Sequence, residues 1–161
     1  MTEYIVHPFE PFFRADSKIL IVGSLPSVKS RENGFYYGHP QNRFWKVIAG
    51  LTESEVPQTI EEKKKLLLEH GIAIWDVIES CDIIGSSDSS IKNVVPADIK
   101  RVVANSKIQN IYANGGTAKK LYEKYIYPVN GIKAHKLPST SPANAGYSLD
   151  RLKEAWAEIK E

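Results

Sequence analysis

The sequence predicts an α/β domain built on a mostly parallel sheet of four strands. Three observations lead there: four short candidate strands, the first of them the β-branched run KILIV, stretches of helical periodicity between them, and an ordinary globular composition. That composition is 42% hydrophobic and 25% charged, neither disordered nor repeat-biased. A length of 161 residues suits one core and not two.

The elements follow in order. Residues 18–22 (KILIV), closed by Gly23, read as a buried strand. From residue 42 to 51, Phe44, Val47, Ile48 and Leu51 fall at helical spacing. Residues 59–70 open with Thr59 and Glu62 in capping-box register and close on Gly71, a well-punctuated helix. Residues 72–77 (IAIWDV) give the second strand. Residues 96–105 read as a helix, with Pro96 near the first turn and Ile99, Val102 and Val103 on one face. Residues 108–113 form the third strand, followed by Gly115, Gly116 and a helix through Ala118, Leu121, Tyr122 and Tyr125. Residues 133–137 give the fourth strand. Ser148 caps a last helix striped by Leu149, Leu152, Trp156 and Ile159.

Strands separated by helices imply βαβ units and helices on both faces of the sheet. Ligands of such sheets bind at the carboxyl ends of the strands. The segments expected there are 23–42, 76–95, 114–116 and 138–146. Three of them are long and rich in Ser, Asn, Pro, Gly and aromatics, as functional loops are.

Several function classes drop out. No apolar run approaches a membrane span, and residues 1–12 lack the basic start and apolar stretch of a signal peptide. One cysteine, Cys81, leaves no disulfide framework and no thiolate cluster. The expected compartment is the cytoplasm. There is no GxxxxGK[ST], no GxGxxG, no HExxH and no GxSxG, and His7, His39, His70 and His135 show no ligand spacing. No metal and no cofactor is expected. A net charge of +2 permits a nucleic-acid partner where the cations cluster; Lys29, Arg31 and Arg43 lie near the long loops.

Within those loops, Ser24, Ser27, Ser139 and Ser141 sit in Ser/Pro-rich turns at one sheet edge, where hydroxyls and amides can meet phosphate. The segment 34–45 (GFYYGHPQNRFW) is dense in aromatics, which serve as core plugs or as a stacking surface. Phe44 and Trp45 suit the core. For Tyr37, stacking and packing compete evenly. Asn42 is placed to cap its helix, and His39 before Pro40 to act as a fixed donor.

GSLPS at 23–27, HPQNRFWK within 39–46 and LPSTSPAN at 137–144 resemble the uracil-DNA glycosylase superfamily, and within it the hypoxanthine-DNA (deoxyinosine) glycosylases. The mismatch-specific uracil/thymine enzymes share the HPxNRFWK word. The resemblance implies a three-layer α/β/α sandwich with a central four-stranded parallel sheet, base flipping, and hydrolysis of one N-glycosidic bond without a cofactor. The implied partner is damaged DNA, met by a monomer. Gly23, Ser24 and Leu25 then floor the base pocket, Tyr37 stacks on the flipped base, His39 donates to it, and Asn42 is the polar catalytic group. Ser27, Arg43, Ser139, Ser141 and Asn144 become DNA contacts. Leu25 departs from the relatives that hold the attacking water with an Asn at that position, and the second-loop histidine of the efficient uracil enzymes is missing. Asp76 and Asp88 are therefore alternative water-activating carboxylates, although each also suits a turn or cap. Uracil or mismatch excision, or a binding domain that has lost catalysis, are the alternatives to hypoxanthine excision.

Overall fold

The structure, a computed structural model, describes residues 2–85 and 87–160. Its central sheet contains β2 (Ile19–Gly23), β3 (Ile72–Asp76), β6 (Asn110–Asn114) and β7 (Ala134–Leu137), all parallel, in the order β3-β2-β6-β7. These are the four expected strands. Every residue of β2 and β3 is buried, as strands covered on both faces must be.

The strand order reverses direction at β2. The first crossover, containing α1 (Val28–Asn33), α2 (Phe44–Leu51) and α3 (Ile60–Glu69), runs to β3 on one side. The later crossovers run the other way, through α4 (Ile99–Ala104) to β6, then through α5 (Gly116–Leu121), a π-helical turn (Tyr122–Ile126) and α6 (Tyr127–Asn130) to β7. Right-handed connections of opposite direction place helices on opposite faces, which makes the domain a three-layer α/β/α sandwich. The last helix, α7 (Leu149–Trp156), returns to pack on α2. Trp156 and Phe44, both fully buried, meet there edge to face at 5.9 Å.

The capping box of Thr59 and Glu62 forms as expected, and Ser148 caps α7. Two other expectations need correction. Pro96 ends a strand instead of opening a helix, and Asp98 caps α4 through its carboxylate. Residues 76–95 are not one long loop. They hold β4 (Ile78–Ile83) and β5 (Lys92–Pro96), which join β1 (Glu3–Val6) in a separate antiparallel sheet of order β1-β4-β5. Pairing runs on past Val6, with the His7 amide donating to the Glu79 carbonyl at 2.7 Å. A reciprocal pair of bonds between Phe12 and Ile74 then pins the segment along the free edge of β3. Among the described residues, no helix is long and apolar enough to cross a membrane.

Candidate active site

The switch point of the sheet lies between the carboxyl ends of β2 and β6, and a cavity of about 440 Å³ opens there. Its floor follows from strand register. Gly23 ends β2 beside Asp76, which ends β3 in the adjacent row. The Asp76 side chain leans over the glycine so closely that a Cβ at position 23 would lie 2.5 Å from Asp76 Oδ1 and 3.2 Å from Tyr37 Oη. Only glycine fits.

Asp76 is nearly solvent-excluded and is paired with an equally buried histidine. His7 Nε2 lies 2.7 Å from Asp76 Oδ2, with side-chain exposures of 3% and 4%. The His7 Nδ1 sits against the backbone of Phe9, 2.8 Å from its carbonyl oxygen and 3.1 Å from its amide. Oδ1 of Asp76 has no protein hydrogen bond among the described residues, and Asp76 lines the cavity.

Tyr37 forms a wall. Its ring stacks on Phe44 at 4.0 Å between centroids and 17° between planes, so packing claims one face. Its backbone has φ of 53°, a costly value for an aromatic residue and one found at functional sites. Its hydroxyl is buried without a hydrogen bond of good geometry. Burial first, and the Asp76 charge next, hold the Tyr37 phenol protonated far above the ordinary tyrosine range, with Asn114 pulling the other way. Tyr36 is raised for the same two leading reasons, but its role is structural: the hydroxyl donates to the Glu10 carbonyl at 2.9 Å. Phe35, Phe44 and Trp45 belong to the core.

Asn42 lines the same cavity. Its Oδ1 accepts from the Phe44 amide at 2.9 Å and from the Thr140 hydroxyl at 2.8 Å. A backbone N–H can only donate, so the carboxamide is fixed with its oxygen inward. Thr140 is itself locked, receiving Asn114 Nδ2 at 3.0 Å and donating its amide to Asn114 Oδ1 at 3.0 Å. The N-cap of α2 is Arg43, not Asn42; Asn42 stands one residue earlier, satisfies the first helical amide and lines the cavity, and its NH₂ group makes no protein hydrogen bond among the described residues.

The remaining candidates divide. Ser24, Leu25, Ser27, Ser139, Ser141 and Asp88 line the cavity. Leu25 also packs on the apolar cluster of Ile78, Cys81 and Ile83 under the antiparallel sheet, and Ser27 caps α1. Ser139 and Ser141 accept the amides of Ser141 and Ala143 and retain their hydroxyl protons. Asn144 donates to the Ser139 carbonyl. His39 is not brought into the cavity lining; its Nδ1 accepts the Gln41 amide at 3.1 Å. Arg43 does not project outward. Its guanidinium donates to the carbonyls of Tyr147, Ser141 and Asn144, and its amide to that of Thr140. Arg31 is half-buried with Nε unpaired, and the Lys29 side chain lies outside the described residues.

Sequence reasoning missed His7, Asn114 and Thr140. No group of three or more His, Cys, Asp or Glu side chains is poised to hold a metal among the described residues. What the cavity offers is an aromatic wall, one fixed amide donor and one fixed carboxylate acceptor, which suits a flat heterocycle with polar edges.

Comparison with known proteins agrees with that chemistry. Two relatives, from Methanosarcina acetivorans and Methanosarcina barkeri, are both named hypoxanthine DNA glycosylase. They are 35% and 32% identical, over 89% and 93% of this chain and 90% and 94% of theirs. A solution NMR structure of a Methanosarcina acetivorans protein, provisionally described as a uracil DNA glycosylase, superposes with a TM-score of 0.80 over the whole of both chains at 28% identity. The family model of the uracil DNA glycosylase superfamily matches residues 10–160. On that match and those identities, the chain belongs to the uracil DNA glycosylase superfamily.

Proposed function

We propose that this protein is a DNA glycosylase that takes a deaminated base, hypoxanthine first, out of the duplex into the cavity and hydrolyses its N-glycosidic bond. The names of the two Methanosarcina relatives support the substrate. The observation that carries the reading is the fixed orientation of Asn42. Because its oxygen is committed to Phe44 and Thr140, Asn42 offers the cavity a donor only.

A donor is what the leaving base requires. As the C1′–N9 bond breaks, the sugar becomes oxocarbenium-like and negative charge spreads into the purine. Hypoxanthine carries acceptors at O6, N3 and N7, and an amide N–H held toward one of them strengthens as that charge grows. Tyr37 supplies the stacking face, and Gly23 to Leu25 the floor. The Ser139 and Ser141 hydroxyls meet phosphate, while Arg43 and Asn144 hold the loop that presents them.

The test is single-turnover excision from oligonucleotides carrying hypoxanthine, xanthine or uracil, read by alkaline cleavage at abasic sites. Hypoxanthine is expected to be released fastest. Asn42→Ala is expected to slow release about ten- to a thousandfold, with duplex affinity nearly unchanged. Melting on the same preparation separates the capping bond to the Phe44 amide, whose loss costs about 0.5–2 kcal/mol. A destabilised variant with wild-type turnover would overturn the assignment of Asn42, and no abasic site from any of the three lesions would leave a nucleic-acid-binding domain.

A further inference from the structure

We propose that Asp76 receives the proton of the attacking water and that His7, reaching in from the N-terminal strand of the other sheet, is the positioning residue that makes it able to do so. The inference rests on the glycosylase reading above and adds the half of the reaction that Asn42, a donor, cannot perform.

Asp76 is 4% exposed, yet it lines the cavity. A carboxylate so buried needs a polar partner, and His7 supplies it. With Nδ1 accepting the Phe9 amide the neutral ring carries its proton on Nε2, and as an imidazolium it carries both. In either state an N–H faces Oδ2 at 2.7 Å. The opposite tautomer would set a lone pair against a carboxylate. Phe9 and Tyr36 hold the ring at centroid distances of 5.7 and 5.8 Å, and the pairing of His7 with Glu79 fixes its backbone. Oδ2 is thus occupied, and Oδ1 remains as the acceptor over Gly23, at the floor of the cavity.

The step balances. The water oxygen bonds to C1′, its proton passes to Asp76 Oδ1, and the electrons of the C1′–N9 bond leave with the base. The base takes a proton from solvent, and Asp76 later returns its own. Leu25, which cannot orient water, is then no obstacle.

The experiment is single-turnover excision of hypoxanthine with enzyme in excess. Asp76→Ala should slow release about a hundredfold or more, and formate, but not chloride at equal ionic strength, should restore part of the loss. His7→Leu should slow release at least about tenfold with duplex affinity unchanged, and His7→Gln, which can still place an amide N–H on Oδ2, should recover most of it. Adding His7→Leu to Asp76→Ala should cost nothing more, since one acts through the other. Losses that multiply, or a folded Asp76→Ala protein at the wild-type rate, would overturn the proposal. If Asp76→Ala does not melt cooperatively, Asp76→Asn carries the same comparison. Wild-type protein that leaves hypoxanthine in place overturns the glycosylase reading itself, whereas active wild type with indifferent variants overturns only this assignment.

Discussion

Thr140 donates its hydroxyl to Asn42 Oδ1 at 2.8 Å while accepting Asn114 Nδ2 at 3.0 Å. One fully buried hydroxyl therefore joins the entrance of α2, the end of β6 and the loop after β7, and it holds the Asn42 carboxamide in the orientation that the Phe44 amide sets.

Thr140→Val keeps the shape and removes both bonds. It strands Asn114 Nδ2 and leaves Asn42 Oδ1 with the Phe44 amide alone, so unfolding should become easier by about 1–3 kcal/mol. Excision should also slow about tenfold, the equivalent of ~1.4 kcal/mol of lost preorganisation. Thermal melting and single-turnover assays on one preparation check both. A rate unchanged per folded molecule would mean that Asn42 keeps its orientation without the threonine.

Gly23→Ala drives a methyl group into Asp76 Oδ1 and against the Tyr37 hydroxyl. The carboxylate must swing away or the strand ends must part. Excision should fall by about two orders of magnitude, while DNA binding, which rests on phosphate contacts, persists in an anisotropy titration.

Tyr37 separates two roles of one side chain. Tyr37→Phe removes an unpaired buried hydroxyl and keeps the ring on Phe44, so stability in urea should rise by up to about 1 kcal/mol with excision retained. Tyr37→Ala removes the stacking face and should lower excision by the equivalent of ~1–3 kcal/mol. A Tyr37→Phe protein that folds but no longer excises would place the hydroxyl in the chemistry.

Alkaline pH should unfold the protein steeply. Tyr36, Tyr37 and Tyr122 have phenols raised above the ordinary range, chiefly by burial. An unfolded tyrosine ionises near pH ~10. Below that pH both states are protonated and nothing is lost; above it the unfolded chain sheds protons that the folded one keeps, so stability declines as pH rises. Ultraviolet titration should show these three of the eight tyrosines ionising only with the loss of tertiary structure. Their ionisation in a still-folded protein would contradict the burial of their hydroxyls.

The parallel sheet is legible because its strands are short, because β2 and β3 are buried on both faces, and because helical periodicity separates them. The antiparallel sheet is not. β4 (IESCDI) mixes charge with apolar residues and bulges twice against β5, and Pro96 ending β5 mimics a helix start. For Asn42 the sequence offers a cap and a cavity role because both are local; that it sits one residue before the cap and is held by Phe44 and Thr140 is invisible there, since Thr140 is a lone threonine in a Ser/Pro turn with no signal of its own. His7 was invisible for a simpler reason. It meets Asp76 across 69 positions, and no periodicity connects a histidine just past an edge strand to the end of a strand in a different sheet. Arg43 looked like a phosphate contact because arginine in a loop near DNA often is one; only the three-dimensional path of residues 138–147 reveals the carbonyls it serves.

The clamp of Arg43 on those carbonyls spans 98 to 104 positions, and the loop is braced from behind by the Trp156 indole donating to the Pro138 carbonyl at 2.9 Å. During synthesis the chain emerges from its N-terminal end. Asn42, Tyr37 and Asp76 are therefore all outside the ribosome long before the segment that aligns them. Contacts of such long sequence separation close late and slowly. A nascent chain shorter than about 156 residues would carry most of the chemical groups of the site without the clamped loop that closes over them, so that a half-made molecule is poorly equipped to cut a base from the genome that encodes it.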